Sequence, residues 1–373
     1  MPFRVLVVDD SNFFQQRLKE IISQNPELKV VGIASNGREA VEKAAELEPD
    51  IITMDFEMPV MDGVTAVKLI MAHRPVPILM FSSLTYEGAR ITLDALAAGA
   101  MDFIPKNFAE VSGDSETLKK KLHERLLTLA RAGQRATGAV SAAVPAHVIP
   151  ISAPAPMRAS APIRSMTAPP PTRQAKNAAT DNYHLKNQPK VVVIGASTGG
   201  PVALSDVLSA LPVNFPVPII LVQHMPENFT KAFAERLNRQ CAIRIREAVD
   251  GDLLESGLAL LAPGGKQFML DKRGCVRVLP DDDRLNYKPS LDVTFGSAAN
   301  AYGDKVLGVV LTGMGSDGCK GARLIKEAGS TIWSQDEASS IIYGMPMAVA
   351  KANLTDKVLP LKEIGPRLVR EVM

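Results

Sequence analysis

Three cysteines in 373 residues, Cys241, Cys275 and Cys319, cannot build a disulfide framework, and no C-x-x-C pair suggests a zinc site. That scarcity points to a reducing setting, so the expected location is cytoplasmic. No apolar run approaches the roughly 18 residues of a membrane span. The short run Val-Leu-Val-Val near the start meets Asp9 and Asp10 at once, which speaks against a secretory signal; membrane insertion is not expected. Charge of one sign is lacking too. A formal net charge of +2 gives no reason to expect nucleic acid as a partner. Neither half shows an internal repeat.

What is present is enough apolar sequence to build cores. Hydrophobic residues make up 46% and charged residues 22%, and the length argues for two domains. Over residues 1–130, short Val/Ile-rich runs (5–8, 30–34, 51–54, 76–81, 102–104) alternate with amphipathic stretches (11–23, 37–47, 63–72, 87–98, 115–130). Strict β–α alternation implies a parallel sheet covered on both faces, a doubly wound, flavodoxin-like unit. Composition then shifts. From residue 131 to 189, Ala, Pro, Ser and Arg dominate, Asp181 is the one acidic residue, and Pro169, Pro170 and Pro171 stand in a row. Such a segment buries too little apolar surface to offset its ordering entropy and reads as a flexible linker with polyproline II character. From 190 to 373 the α/β pattern resumes, with strands expected at 191–194, 218–222, 242–246, 258–261, 306–311 and 330–334. Helices are expected at 201–210, 230–238, 291–301, 317–328 and 361–372, and a β-hairpin (268–270, 276–279) about Asp271-Lys272-Arg273-Gly274. This second domain is the larger, a Rossmann-like α/β domain.

Chemistry-bearing residues fall at strand ends. Asp9 and Asp10 follow the first strand and Asp55 the third; carboxyl ends of parallel strands form the ligand crevice. Three converging carboxylates repel unless a hard cation joins them, and Mg²⁺ suits an oxygen-only site. Ser82 and Lys106, after the fourth and fifth strands, would add a hydroxyl and a cation. The motifs V-D-D-S, M-D-F-E-M-P-V-M-D-G, F-S-S and P-K resemble a response-regulator receiver domain over about residues 3–125. The resemblance implies phosphorylation of Asp55 by a histidine kinase, Mg²⁺ binding by Asp9 and Asp10 together with Asp55, phosphoryl contacts from Ser82 and Lys106, and an aromatic switch at Phe103. Asn107, where many receivers carry proline, is a local departure.

In the second half, Gly195-Ala196-Ser197-Thr198-Gly199 has the G-x-S-x-G spacing that exposes a serine on a strand-to-helix turn beside free backbone N–H groups. A serine nucleophile needs a base, and His224 is the single histidine beyond Lys190. Asp317, after another strand, can orient the imidazole. The order Ser…His…Asp disfavours the α/β-hydrolases. The motifs I-G-A-S-T-G-G-P, V-Q-H-M-P, A-P-G-G, P-S-L-D-V-T-F and L-T-G-M-G-S-D-G resemble the catalytic domain of the chemotaxis protein-glutamate methylesterases. That implies hydrolysis of γ-glutamyl methyl esters on methyl-accepting chemoreceptors with release of methanol, with deamidation of receptor glutamines in some members. Ser197 is then the nucleophile, His224 the proton shuttle and Asp317 its anchor, with Thr198 and Met314 forming the oxyanion hole and no cofactor for the esterase step. Gln267, where relatives often carry histidine, is expected at the rim. Ser290 is expected to cap the following helix, with substrate binding together with Pro289 and Asp292 as the alternative, and Met225, Met314 and Met345 are expected to serve in packing, with an apolar path for the receptor helix as the alternative. Two other readings compete: a phosphate-cradling turn at 195–200 in a nucleotide-binding module, and a non-catalytic output domain. An unphosphorylated receiver is expected to cover the Ser197 crevice.

Overall fold

The computed structural model describes residues 1–106, 115–141, 185–280 and 285–373, and side chains are described outside 136–141. Most of the expected 131–189 linker, and Asn107, lie outside the described residues. The N-terminal unit holds β1 (Phe3–Val8), α1 (Asn12–Ser23), β2 (Leu28–Ala34), α2 (Gly37–Leu47), β3 (Ile51–Asp55), α3 (Gly63–His73), β4 (Ile78–Ser82), α4 (Tyr86–Ala97), β5 (Asp102–Pro105) and α5 (Glu116–Ser141). Its five strands are parallel in the order β2-β1-β3-β4-β5. β3 and β4 are buried along their whole length, as a sheet covered on both faces requires.

The C-terminal unit runs through β6 (Val191–Ala196), α6 (Gly200–Ser209), β7 (Ile219–Gln223), α7 (Phe229–Gln240), β8 (Arg244–Glu247), β9 (Leu258–Leu261), β10 (Gln267–Leu270) and β11 (Val276–Leu279). It continues with α8 (Leu291–Tyr302), β12 (Val306–Val310), α9 (Cys319–Glu327), β13 (Thr331–Gln335), α10 (Met345–Lys351), β14 (Lys357–Leu359) and α11 (Leu361–Val372). Seven parallel strands follow the order β14-β13-β12-β6-β7-β9-β8, and β10-β11 form a separate antiparallel hairpin. β6, Val-Val-Val-Ile-Gly-Ala, is buried at every position. The sheet grows outward from β6 in both directions, so the crevice at its carboxyl end is a topological switch point.

Three differences from the sequence reading have physical causes. α5 runs to Ser141, eleven residues past the expected start of the linker at 131; Arg131 to Ser141 contains no proline to stop it. The edge strand β14 has only three residues, too few for a period-2 pattern. α10 opens on Met-Pro, where proline serves as a first-turn residue. The two units share an apolar cluster that includes Leu93, Leu96 and Phe103 from the first and Phe229 and Phe233 from the second.

Candidate active site and phosphoacceptor pocket

At the carboxyl ends of β1 and β3, one carboxylate oxygen from each of Asp9, Asp10 and Asp55 lies within 4.8 Å of the others. Asp9 and Asp55 are buried and Asp10 is exposed. Lys106 Nζ sits 2.8 Å from both Asp9 Oδ2 and Asp55 Oδ2 and 4.2 Å over the Phe14 ring. Phe56 N–H donates to Asp55 Oδ1 at 2.9 Å. Burial pushes the Asp55 carboxyl up to about 6, against the opposing pull of Lys106. Burial raises Asp9 in the same way. Burial also works against charge on Lys106, but Asp55 and Asp9 outweigh it and raise its pKa. One ammonium cannot fully compensate these carboxylates. An all-oxygen donor set with excess negative charge and one exposed side fits a hydrated Mg²⁺.

Ser82 and Phe103 are placed less simply. The Ser82 hydroxyl has one proton to give to Ser83 O at 3.2 Å or Gly88 O at 3.3 Å, and accepts from Thr92 Oγ1. It is therefore engaged with α4. Phe103 is buried and stacks on Phe229, the first residue of α7, with ring centroids 4.6 Å apart and planes 4° apart.

In the C-terminal unit, Ser197 directly follows β6 and His224 follows β7, while Asp317 lies in the loop after β12, strands that are neighbours in the order β12-β6-β7. The turn after Ser197 is tight: Gly200 N–H donates to Ser197 O at 2.8 Å, and Gly199 has φ +76°, a conformation a side chain would strain. Gly313 is needed for a different reason, because a Cβ there would stand 2.8 Å from Ser197 Cβ and 2.4 Å from Met345 Sδ. Ser197 N–H is bonded to Thr312 O at 3.0 Å, so it cannot join a phosphate cradle. Among the described residues no hydrogen-bond partner faces the N–H of Thr198 or of Met314.

His224 Nε2 lies 2.7 Å from Asp317 Oδ2. Its Nδ1 is buried and has no hydrogen-bond partner among the described residues, which leaves it as the nitrogen able to take a proton. Asp317 receives four more donors: Leu291 N–H on Oδ2 (2.7 Å), and Ser290 Oγ–H (2.9 Å), Asp292 N–H (3.0 Å) and Gly318 N–H (3.1 Å) on Oδ1. Burial alone would raise this carboxyl, but the hydrogen bond and charge of His224, with the Asp292 and Leu291 amides, hold it below the ordinary range.

Ser290 occupies the N-cap position of α8 as expected, but the expectation that its side chain caps the helix is corrected. Its side chain makes no capping bond, and the Asp317 carboxylate takes the first amides of that helix instead. Asp317 is likewise outside α9, which begins at Cys319 with Gly318 as its N-cap. Gln267 is not at the rim. It is 3% exposed, donates to Tyr287 O at 2.7 Å and accepts Ser290 N–H at 3.0 Å. Tyr287, which no sequence pattern marked, stacks on His224 with ring centroids 4.4 Å apart. Met345 is fully buried in the core and Met225 is 4% exposed beside the crevice, while Met314 packs against the apolar cluster of the N-terminal unit.

Ser197 and His224 line a cavity of about 360 Å³ whose far wall is the N-terminal unit, including Asp102, Phe103 and Arg125. Thr198 Oγ1 donates to Asp102 Oδ2 at 2.7 Å, Arg236 pairs with Asp94, and Tyr86 with Glu235. The first unit therefore roofs the crevice.

Comparison with known proteins matches this division. Residues 192–368 match the CheB methylesterase family model and residues 5–116 the response regulator receiver domain. The chain is 58% identical to "Protein-glutamate methylesterase/protein-glutamine glutaminase 1" of Saccharophagus degradans over 100% of both chains. It is 56% identical to the protein of that name from Pseudomonas aeruginosa over 99% of each. Among solved structures, the Thermotoga maritima CheB methylesterase catalytic domain is 40% identical, with 49% of this chain and 98% of that chain covered and a TM-score of 0.47. No helix among the described residues is long and apolar enough to cross a membrane. The chain belongs to the CheB methylesterase family, with a response regulator receiver domain ahead of the hydrolase domain.

Proposed function

We propose that this chain is a phosphorylation-activated serine hydrolase that demethylates glutamyl methyl esters on the cytoplasmic helices of chemoreceptors and deamidates receptor glutamines. The observation that carries the reading is the bond from His224 to a buried carboxylate with four further donors, in a crevice that Ser197 shares. In the scheme, Ser197 Oγ attacks the ester carbonyl carbon while its proton passes to His224 Nδ1. Asp317 stabilises the imidazolium. The Thr198 and Met314 N–H groups donate to the developing oxyanion. Collapse expels methanol, which takes the proton from His224, and leaves an acyl-serine. Water, deprotonated by His224, then releases the glutamate. With glutamine the first leaving group is ammonia.

The receiver half supplies control. Asp55 accepts a phosphoryl group from a histidine kinase of a chemosensory array; Asp9, Asp10 and Asp55 would hold Mg²⁺, which offsets the negative charge of phosphoryl and carboxylate oxygens. Drawing Ser82 toward the phosphoryl group would shift α4, which carries Asp94 and Tyr86 onto α7. The roof over Ser197 would then loosen. The proposed setting is cytoplasmic. A fluorophosphonate probe tests the nucleophile: labelling of the activated chain, lost in Ser197→Ala, is expected, and absence of labelling after phosphodonor treatment contradicts the reading.

A further inference from the structure

Thr198 stands next to Ser197, yet among the described residues its hydroxyl has one partner, Asp102 of the receiver, with Oγ1 2.7 Å from Oδ2. Asp102 arrives with its own support. Phe103 N–H donates to Oδ1 at 2.8 Å, and Arg125 from α5 pairs with Oδ2. Thr198 is 3% and Asp102 7% exposed. A carboxylate with its counter-cation is thus delivered to the residue beside the nucleophile, inside the cavity that Ser197 and His224 line.

The product of the proposed reaction is a glutamate carboxylate, one methylene longer than that of Asp102. Ester, amide and acid all present an acyl oxygen as acceptor. When the receiver lifts, the Thr198 hydroxyl loses its acceptor, and a substrate that covers the site again must supply another, because an unpaired polar group in a closed site is costly. We propose that Thr198 Oγ is a donor that holds the substrate acyl group beside Ser197 and that Asp102 is its internal surrogate. The receiver then inhibits by chemical competition at the site as well as by covering it. This inference rests on Ser197 being the nucleophile.

The test is methanol release from methylated receptor by the full-length chain over a range of substrate concentrations, with and without beryllofluoride and Mg²⁺, with melting temperatures in parallel. Asp102→Ala is expected to raise the unactivated kcat/KM several-fold toward the activated level. Asp102→Asn, which keeps the shape and one acceptor oxygen, is expected to move it in the same direction by less. Unchanged unactivated rates in a folded variant of either kind overturn the surrogate role. In the activated chain, Thr198→Val is expected to lower kcat/KM about fivefold, with kcat sharing in the loss because the acyl oxygen gains charge in the transition state, and Thr198→Ser to restore it. An unchanged kcat/KM in a folded Thr198→Val variant overturns the recognition role. Methanol release by Ser197→Ala in the same assay would instead sink the nucleophile reading, whatever the Thr198 variants do.

Discussion

Replacing Asp317 by asparagine removes one charge and turns one of two acceptor oxygens into a donor, in a site where five donors converge. If the amide nitrogen takes the Oδ1 position, the N–H groups of Asp292 and Gly318 lose their acceptor, although the Ser290 hydroxyl can rotate. If it takes the Oδ2 position, the Leu291 N–H alone is orphaned, and His224 must present a bare Nε2 to the new amide. The second arrangement is the less costly. One orphaned buried N–H costs about 1–3 kcal/mol, and weakening of the remaining charge-assisted bonds brings the total to about 3–4 kcal/mol. For a domain of this size that lowers the melting temperature of the hydrolase domain by roughly 6–15 °C. The same arrangement puts the imidazole proton on Nδ1, the nitrogen that accepts the serine proton in the proposed scheme, and a wrong tautomer of this kind costs about 10⁴ in kcat. Differential scanning calorimetry and methanol release on the activated chain read the two effects separately. A variant melting within about 2 °C of wild type and losing less than about tenfold in kcat would refute the role assigned to Asp317.

Other consequences follow from the receiver pocket and from the loop behind His224. Asp55 titrates near 6 against an ordinary 3.8, so the folded chain holds a proton that the unfolded chain has lost between those values. Metal-free stability should therefore fall as pH rises through that window, by at most about 3 kcal/mol, and level off above it. Asp55→Asn should reduce that slope, leaving the smaller share due to Asp9, and melt higher than wild type in EDTA at pH 8; an equal pH slope in both proteins contradicts the burial argument. Millimolar Mg²⁺ should raise the melting temperature of the wild-type receiver and have little effect on Asp9→Asn/Asp55→Asn, and equal shifts would place the ion elsewhere. Gln267→Leu orphans the Ser290 N–H and the Tyr287 carbonyl and should cost about 2–3 kcal/mol, with a smaller loss of kcat than Asp317→Asn; a larger one would mean that the Tyr287 stack matters more than the carboxylate.

Much of the fold was legible because buried parallel strands such as β6 read as unbroken Val/Ile runs between helical periods. Ser197, His224 and the acidic residues stood out for a related reason, since each follows such a run and strand ends are where a parallel sheet exposes side chains. The Asp317 carboxylate was findable as a polar residue after a strand, but its capping of α8 was not, because Leu291 and Asp317 are distant in sequence and only the chain path of β12 joins them. Tyr287 and Gln267 act from loop and hairpin positions with no periodicity to betray them. The Thr198–Asp102 contact spans 96 residues and the linker, so it depends on how two units dock, which no local pattern encodes. Short elements such as β14 fail for want of length.

The most direct test of the central claim is methanol release from methylated chemoreceptor by wild type, Ser197→Ala and Asp55→Asn, each with and without a small-molecule phosphodonor. Release by wild type is expected to rise on phosphodonor addition, with none from Ser197→Ala and a low rate from Asp55→Asn that the phosphodonor leaves unchanged. Release from Ser197→Ala, or an equal phosphodonor response in Asp55→Asn, would contradict that claim.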